Sequence, residues 1–305
     1  MRWLRTIRRR SCGLTVRRPR KMLPLREYLQ IAAKKLEHGP HPDQASQDAE
    51  FLIRYALGKD RAWMMANWPL EILAEEVRGC GLLIDRRYAG EPIQYITGET
   101  EFYGLPFTVA PGVLIPRPET EHLVEKVLQL AAEFRQTNLR IADIGTGSGA
   151  IAVALAHSLP EARIFATDLS PEALAIAMKN ARRNRVAECI TFLEGDLLAP
   201  LAGEEFQIIA SNPPYVPLAD CDSLSVEVRD FEPHSALFAG DDGLEIYRRL
   251  IPCARELLVS GGWLVLEIGY GQRAAIASLL DPAGFREVDF VPDYQGIARV
   301  AVARR

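Results

Sequence analysis

The sequence predicts an α/β protein: a doubly wound, mostly parallel sheet of seven strands, preceded by a small helical domain. Three observations carry this. From Leu139 onward, short Val/Ile/Leu runs alternate with helical stretches, as in a sheet covered by helices on both faces. Residues 22–89 show helical periodicity alone. Between the two, Thr100-Glu101-Phe102-Tyr103 and Phe107-Thr108-Val109-Ala110 flank Gly104-Leu105-Pro106, a hairpin-like arrangement with a three-residue turn. The expected division is a basic, disordered extension over 1–21, a helical recognition domain over 22–89, a hairpin linker over 90–115 and the α/β domain over 116–305.

Composition narrows the function. An apolar fraction of 48% suits a real core, and no run approaches the ~20 apolar residues a membrane helix needs. Cysteines 12, 80, 189, 221 and 253 are scattered without a C-x-x-C pair. They read as thiols of a reducing compartment, and with five unpaired histidines no metal is expected. Residues 1–21 hold eight Arg, one Lys and no acid against a formal net charge of −4, leaving about −13 on the rest. Such an acidic body argues against gripping a phosphate backbone. We expect a cytoplasmic monomer without membrane or nucleic-acid contact. The basic head reads as a start codon placed too early, with Met22 as the true start, or as an organelle transit peptide.

The elements follow in order. Leu25, Tyr28, Leu29, Ala32 and Leu36 form one helical face, ended by Gly39-Pro40. Helices are expected over Gln44–Leu57, Asp60–Asn67 and Glu71–Tyr88, with Trp63 and Trp68 as core aromatics. Pro118 suits a first helical turn, with Glu119 and Glu121 at the positive end of the dipole, and the helix reaches about Phe134. The predicted strands are Leu139–Ile144, Arg163–Thr167, Ile190–Leu193, Phe206–Ala210, Trp263–Ile268, Phe285–Pro292 and Ile297–Ala303. Helices are predicted at Ile151–Ser158, Pro171–Asn184, Leu244–Val259 and Ala274–Leu280. The last two strands form an antiparallel hairpin at one edge. Ligands of such sheets sit at the carboxyl ends of the strands.

The first strand ends in Asp143-Ile144-Gly145-Thr146-Gly147-Ser148-Gly149, and a helix follows directly. Glycines let a ligand approach the helix N-terminus. Asp168, 19 residues beyond Gly149, ends the second strand, where a carboxylate suits the two hydroxyls of a ribose. The loop alone also satisfies a dinucleotide fingerprint. Asp143 disfavours a diphosphate and suits a cationic amino-acid group, which points to S-adenosyl-L-methionine over NAD. Asp196-Leu197, after the third strand, is placed at the adenine end, though Asp196 reads equally as a simple turn cap.

Phe206 to Ala210 runs into Ser211-Asn212-Pro213-Pro214-Tyr215. Two prolines stop the strand and leave a stiff loop with exposed carbonyls. The Asn212 side-chain oxygen and the Pro213 carbonyl can each accept one N–H of a planar N–H₂ group, and Tyr215 can stack on it. Both would draw the nitrogen lone pair out of conjugation, so positioning rather than a strong base does the work. Read alone, the loop fits adenine or glutamine.

Together these residues resemble the HemK/PrmC family, protein-(glutamine-N5) methyltransferases of peptide chain release factors. The resemblance runs from about residue 24 to the C-terminus and includes Gly90 to Gly98, Phe102-Tyr103-Gly104, Leu114 to Glu121, Glu232-Pro233 and Gly240 to Leu244. It implies a Rossmann-like class I methyltransferase fold. It implies that Gly145, Thr146, Gly147, Ser148, Gly149, Asp168, Asp196, Leu197 and Asn212 bind S-adenosyl-L-methionine. Asn212, Pro213, Pro214 and Tyr215 would hold the glutamine of a Gly-Gly-Gln loop. Some members carry an aromatic where this chain has Leu197. The rivals are a ribosomal-protein glutamine methyltransferase and, against the acidic body, a DNA adenine-N6 methyltransferase.

Overall fold

The structure, a computed structural model, describes residues 23–134 and 138–305. The extension expected over residues 1–21 lies outside them. The chain divides into two compact units, one ending at Ala89 and one running from Gly90 to Arg305.

The first unit is helical because its apolar residues recur every three or four positions. Helix α1 (Leu25–Leu36) buries Leu25, Tyr28, Ala32 and Leu36. Helix α2 (Ala45–Leu57) stops at Gly58, whose φ of 63° reverses the chain. Helix α3 (Arg61–Ala66) starts on Asp60, which accepts a hydrogen bond from the Trp63 amide at 2.7 Å. Three residues of the stretch expected as helix from Glu71 lie before α4 (Ala74–Tyr88), and Glu71–Ile72 pairs antiparallel with Leu23–Pro24 instead. Trp63 and Trp68, expected in the core, are half-buried, and Met64 takes the inward position of the six-residue α3. Asp48 and Arg87 pair inside this unit at 2.6 Å.

The second unit opens with a short helix, α5 (Ile93–Thr97), and a hairpin of Glu99–Phe102 with Leu105–Thr108. The turn holds two residues, not the expected three. Tyr103 (φ 53°) and Gly104 (φ 70°) both sit in the left-handed region, giving a turn whose twist matches the strands it joins. Pro106 therefore lies within a strand, tolerated because its missing N–H belongs to the outer edge of the ribbon, where its carbonyl accepts from Asn184 Nδ2 at 3.0 Å. Phe102 and Phe107 enter the main core, so residues 90–115 pack as part of the second unit.

A single 3₁₀ turn, Pro118–Thr120, leads into α6 (Glu121–Ala131). Its buried Leu123, Val124, Val127 and Leu130 are worth about 1.5–3 kcal/mol each. The alternating part follows: β1 (Arg140–Ile144), α7 (Ala150–Ser158), β2 (Arg163–Asp168), α8 (Pro171–Arg183), β3 (Ile190–Glu194) and β4 (Phe206–Ser211). After an insertion containing α9 (Val226–Phe231) come α10 (Glu245–Leu257), β5 (Leu258–Glu267), α11 (Arg273–Leu280), β6 (Arg286–Pro292) and β7 (Ala298–Arg304).

These seven strands form one sheet in the order β6-β7-β5-β4-β1-β2-β3. Strands β1 to β5 are parallel, and β7 runs antiparallel to both its neighbours. Side chains alternate between faces with the strand period of two. Ile141, Ile208, Val265 and Val302 face α6 and α7. Ala142, Ile209, Leu264 and Ala301 face α10 and α11. Strand β5 begins earlier than expected, at Leu258, because the chain turns straight out of α10 into pairing with Phe206. Among the described residues no helix is long and apolar enough to cross a membrane.

Candidate active site

The strand order reverses between the parallel neighbours β1 and β4: from β1 the chain adds β2 and β3 toward one edge of the sheet, and from β4 it adds β5 toward the other. That is where a crevice opens at the carboxyl ends of the strands. Ile144 and Ser211 are paired there, and the Ser211 hydroxyl donates to the Ile144 carbonyl at 2.7 Å. One wall of the crevice is the glycine loop after β1. The other is Asn212 to Tyr215 after β4.

The glycine wall is built mainly from backbone. The amides of Gly145 and Thr146 both donate to the Thr167 carbonyl at 2.9 Å, tying the loop to β2. Gly149 has φ 81° and caps α7, and a Cβ there would lie 2.9 Å from the Ala177 Cβ, so only glycine fits. The Gly147 amide donates to Asp168 Oδ2 at 2.7 Å and the Ser170 amide to Oδ1 at 2.9 Å. Each carboxylate oxygen keeps a lone pair for a further donor. Thr146 and Ser148 are buried. The Ser148 carbonyl accepts from Asn180 Nδ2, and the same Asn180 amide exchanges two bonds with the Thr108 backbone at 2.7 and 2.9 Å.

Asp143 lies fully buried beneath this loop. Its Oδ2 accepts from the Thr146 hydroxyl at 2.6 Å and the Ala152 amide at 3.1 Å, while Oδ1 has no partner among the described residues. Burial pushes its carboxyl up to about 7 against the pull of those two bonds, and Asp168 adds to the rise.

After β3, Leu197 has φ 49°, a conformation a leucine adopts only under constraint. Its carbonyl is held by the Thr167 hydroxyl at 2.9 Å. Asp196 is exposed and ion-paired to Arg249 of α10, so its carboxylate faces that helix. Leu169, directly after Asp168, is 70% exposed, an apolar side chain at the strand ends that the sequence reading passed over.

The Asn212 wall is built from side chains of distant segments. Asn212 Nδ2 donates to Thr120 Oγ1 at 3.2 Å, and the Thr120 hydroxyl donates to Glu267 Oε2 at 2.6 Å. The Tyr215 hydroxyl reaches Glu267 Oε1 at 3.5 Å. Glu267 ends β5 and is buried, and burial raises its carboxyl to about 7. The hydrogen bond from Thr120 opposes this, Glu119 adds to it, and Arg299 and the Tyr215 hydroxyl oppose it. Pro213 is buried and Pro214 half-buried. The Tyr215 carbonyl accepts from Gln272 Nε2 at 2.9 Å, and the Tyr215 and Val216 amides both donate to the Leu237 carbonyl. Arg117 pairs at 2.5 Å with Glu232, which also accepts from the Ile115 amide. This fixes the Pro116–Pro118 turn that presents Thr120. Sequence reasoning missed Thr120 and Glu267; the one signal was an acid closing the apolar run Leu264-Val265-Leu266.

The chain is similar to known proteins. Residues 120–225 match the family described as "Methyltransferase small domain", and residues 27–98 match "PrmC N-terminal domain". The release factor glutamine methyltransferase of Geobacter sulfurreducens is 43% identical over 262 residues, 86% of this chain and 90% of that protein. That of Koribacter versatilis is 43% identical over 285 residues, covering 93% and 99%. Among solved structures, the hMettl16 catalytic domain bound to an RNA hairpin superimposes with a TM-score of 0.55 at 18% identity, over 80% of this chain and 92% of that one. That likeness concerns the fold.

Proposed function

The chain belongs to the release factor glutamine methyltransferase family, HemK/PrmC, and from that premise we propose that it methylates the side-chain amide nitrogen (N5) of the glutamine in a release factor's Gly-Gly-Gln motif. The methyl donor in this reading is S-adenosyl-L-methionine, which supplies a methyl group already activated on a sulfonium.

The residues of the glycine wall fit such a donor. Gly145, Gly147 and Gly149 take left-handed backbone that brings the loop to the N-terminus of α7 without side chains of their own. Asp168 retains lone pairs for ribose hydroxyls, and Asp143 Oδ1 is a buried acceptor that an ammonium group would satisfy. Leu197 and Leu169 offer apolar cover for the base. The Asp196 carboxylate is taken up by Arg249, which leaves backbone of this turn as the polar contact.

The single observation that carries the reading is the hydrogen bond from Asn212 Nδ2 to Thr120. With its N–H₂ engaged there, the amide turns Oδ1 toward the crevice as an acceptor for the substrate's N–H. A second acceptor at the Pro213 carbonyl, whose residue has no amide hydrogen of its own, completes a cradle for a planar N–H₂ group. The chain's part is to hold that nitrogen with its lone pair freed from conjugation and aimed at the glycine wall. Purified protein, labelled S-adenosyl-L-methionine and a release factor test this: label is expected on the Gly-Gly-Gln peptide. An unlabelled peptide, or full labelling by Asn212→Ala, would overturn it.

A further inference from the structure

Thr120 and Glu267 form a buried chain of hydrogen bonds ending on Asn212, with Tyr215 at its far side. The direction of each bond follows from chemistry. An ionised carboxylate only accepts, so the Thr120 hydroxyl must spend its single hydrogen on Glu267. Thr120 Oγ1 is then only an acceptor toward Asn212. The two ends of an asparagine amide have nearly the same shape, so the partner decides which end faces which way. An acceptor at Thr120 draws Nδ2 to it and turns Oδ1 outward.

We propose that Thr120 and Glu267 are positioning residues that set the orientation of the Asn212 amide, and that protonating Glu267 reverses it. This rests on the reading of Asn212 as the substrate's acceptor. A protonated Glu267 donates its hydrogen to Thr120 Oγ1, which frees the Thr120 hydrogen to point at Asn212. The amide then turns Oδ1 to Thr120 and shows Nδ2 to the crevice, where it opposes the N–H₂ of a glutamine. No atom leaves the network; one proton enters.

The surroundings of Glu267 suit a group that changes charge near neutrality. Glu119 and Thr120 face it from the 3₁₀ turn, Tyr215 from the loop after β4 and Arg299 from β7, while the Tyr247 hydroxyl of α10 donates to its backbone carbonyl at 2.7 Å. Burial outweighs Arg299 and raises its carboxyl to about 7. Activity should therefore rise with pH through that range.

Thr120→Val keeps the shape of the side chain and removes the hydroxyl. It should lower kcat about 10- to 100-fold with KM for S-adenosyl-L-methionine within about threefold, and Thr120→Ser should recover most of the loss. In Glu267→Gln, with S-adenosyl-L-methionine saturating so that Asp143 stays ionised against its ammonium group, the acidic limb of the kcat profile should vanish. A second measurement needs no turnover: in [¹⁵N]asparagine-labelled protein, the Asn212 side-chain N–H₂ signals, identified by their loss in Asn212→Ala, should move between pH 6 and 8 and stay still in Thr120→Val. A Thr120→Val enzyme within twofold of wild-type kcat, an acidic limb surviving in Glu267→Gln, or Asn212 signals insensitive to pH would each overturn the proposal. Failure of wild type to label a release factor would sink the proposed function, and the labelled-asparagine spectra would still decide the relay.

Discussion

Two buried carboxylates stand at the two walls of the crevice, Asp143 ending just before the glycine loop and Glu267 ending β5. Burial lifts both to about 7. Their partners differ in reach. Asp143 is bonded to residues 3 and 9 positions away, and so shapes the loop that contains it. Glu267 is bonded to residues 147 and 52 positions away, and so joins two loops that the chain makes far apart. The difference teaches that a buried acid organises whatever segments its donors come from: one acid shapes a single local loop, the other joins segments far apart in the chain.

The largest expected effect tests the assembled wall. Asn212→Ala should lower kcat about 100- to 1000-fold, the cost of removing one aligned polar group from a reaction site, with affinity for S-adenosyl-L-methionine far less affected. Steady-state kinetics against both substrates check this. Equal losses in both would erase the distinction between the walls.

Stability comes next. In the unfolded chain both acids release their protons near pH 4, and in the folded chain near 7. Between those values the folded protein holds more protons, so this contribution to stability falls as pH rises from about 4 to about 7 and is level above. Each carboxylate contributes a decline on the order of 4 kcal/mol. Urea unfolding across that range should show it, and Asp143→Asn and Glu267→Gln should each flatten part of it. A profile unchanged in both variants would mean that neither acid titrates as its burial requires.

Gly149→Ala sharpens the contrast from the local side. A Cβ at φ 81° and 2.9 Å from Ala177 should cost about 2 kcal/mol in urea unfolding and raise KM for the methyl donor more than KM for the release factor. The smallest effect belongs to Arg249→Ala, which breaks an exposed pair with Asp196 and should change stability by less than about 1 kcal/mol. A large rise in KM for the donor would show that the Asp196 carboxylate matters through its pairing.

The same contrast explains what could be read from the sequence. The glycine loop, Asp168 and the seven strands were legible because their signals are local: period-two apolar runs, glycines beside a helix start, an acid closing a strand. Asn212 was legible because two prolines after a strand leave few alternatives. Thr120 lay inside Pro118-Glu119-Thr120-Glu121, whose acids already had a reading as helix-dipole partners, and nothing in the sequence linked it to a glutamate 147 positions on. The start of β5 was hidden for a related reason. Leu257, Leu258 and Val259 extend the apolar pattern of α10, and only pairing with Phe206 pulls Leu258 into the sheet. The hairpin turn was misjudged because Pro106 drew attention as a breaker, whereas Tyr103-Gly104 made the reversal.

Asn180 of α8 divides its one amide between the Thr108 backbone and the Ser148 carbonyl, so one side chain rivets the hairpin to the glycine loop. Arg183 and Asn184, one turn further along the same helix face, fasten Glu99 and Pro106 beside it. This sets where the fold can accept new sequence. The Tyr103-Gly104 tip is tied to α6, where the Tyr103 amide donates to Glu121 Oε1 at 2.8 Å, so residues added there break that one bond and leave the Asn180 rivet in place. Residues added at Thr108 would break both of its bonds to Asn180 and loosen the ribbon from the glycine loop, so the room for insertion here is set by the few α8 side chains that hold the ribbon.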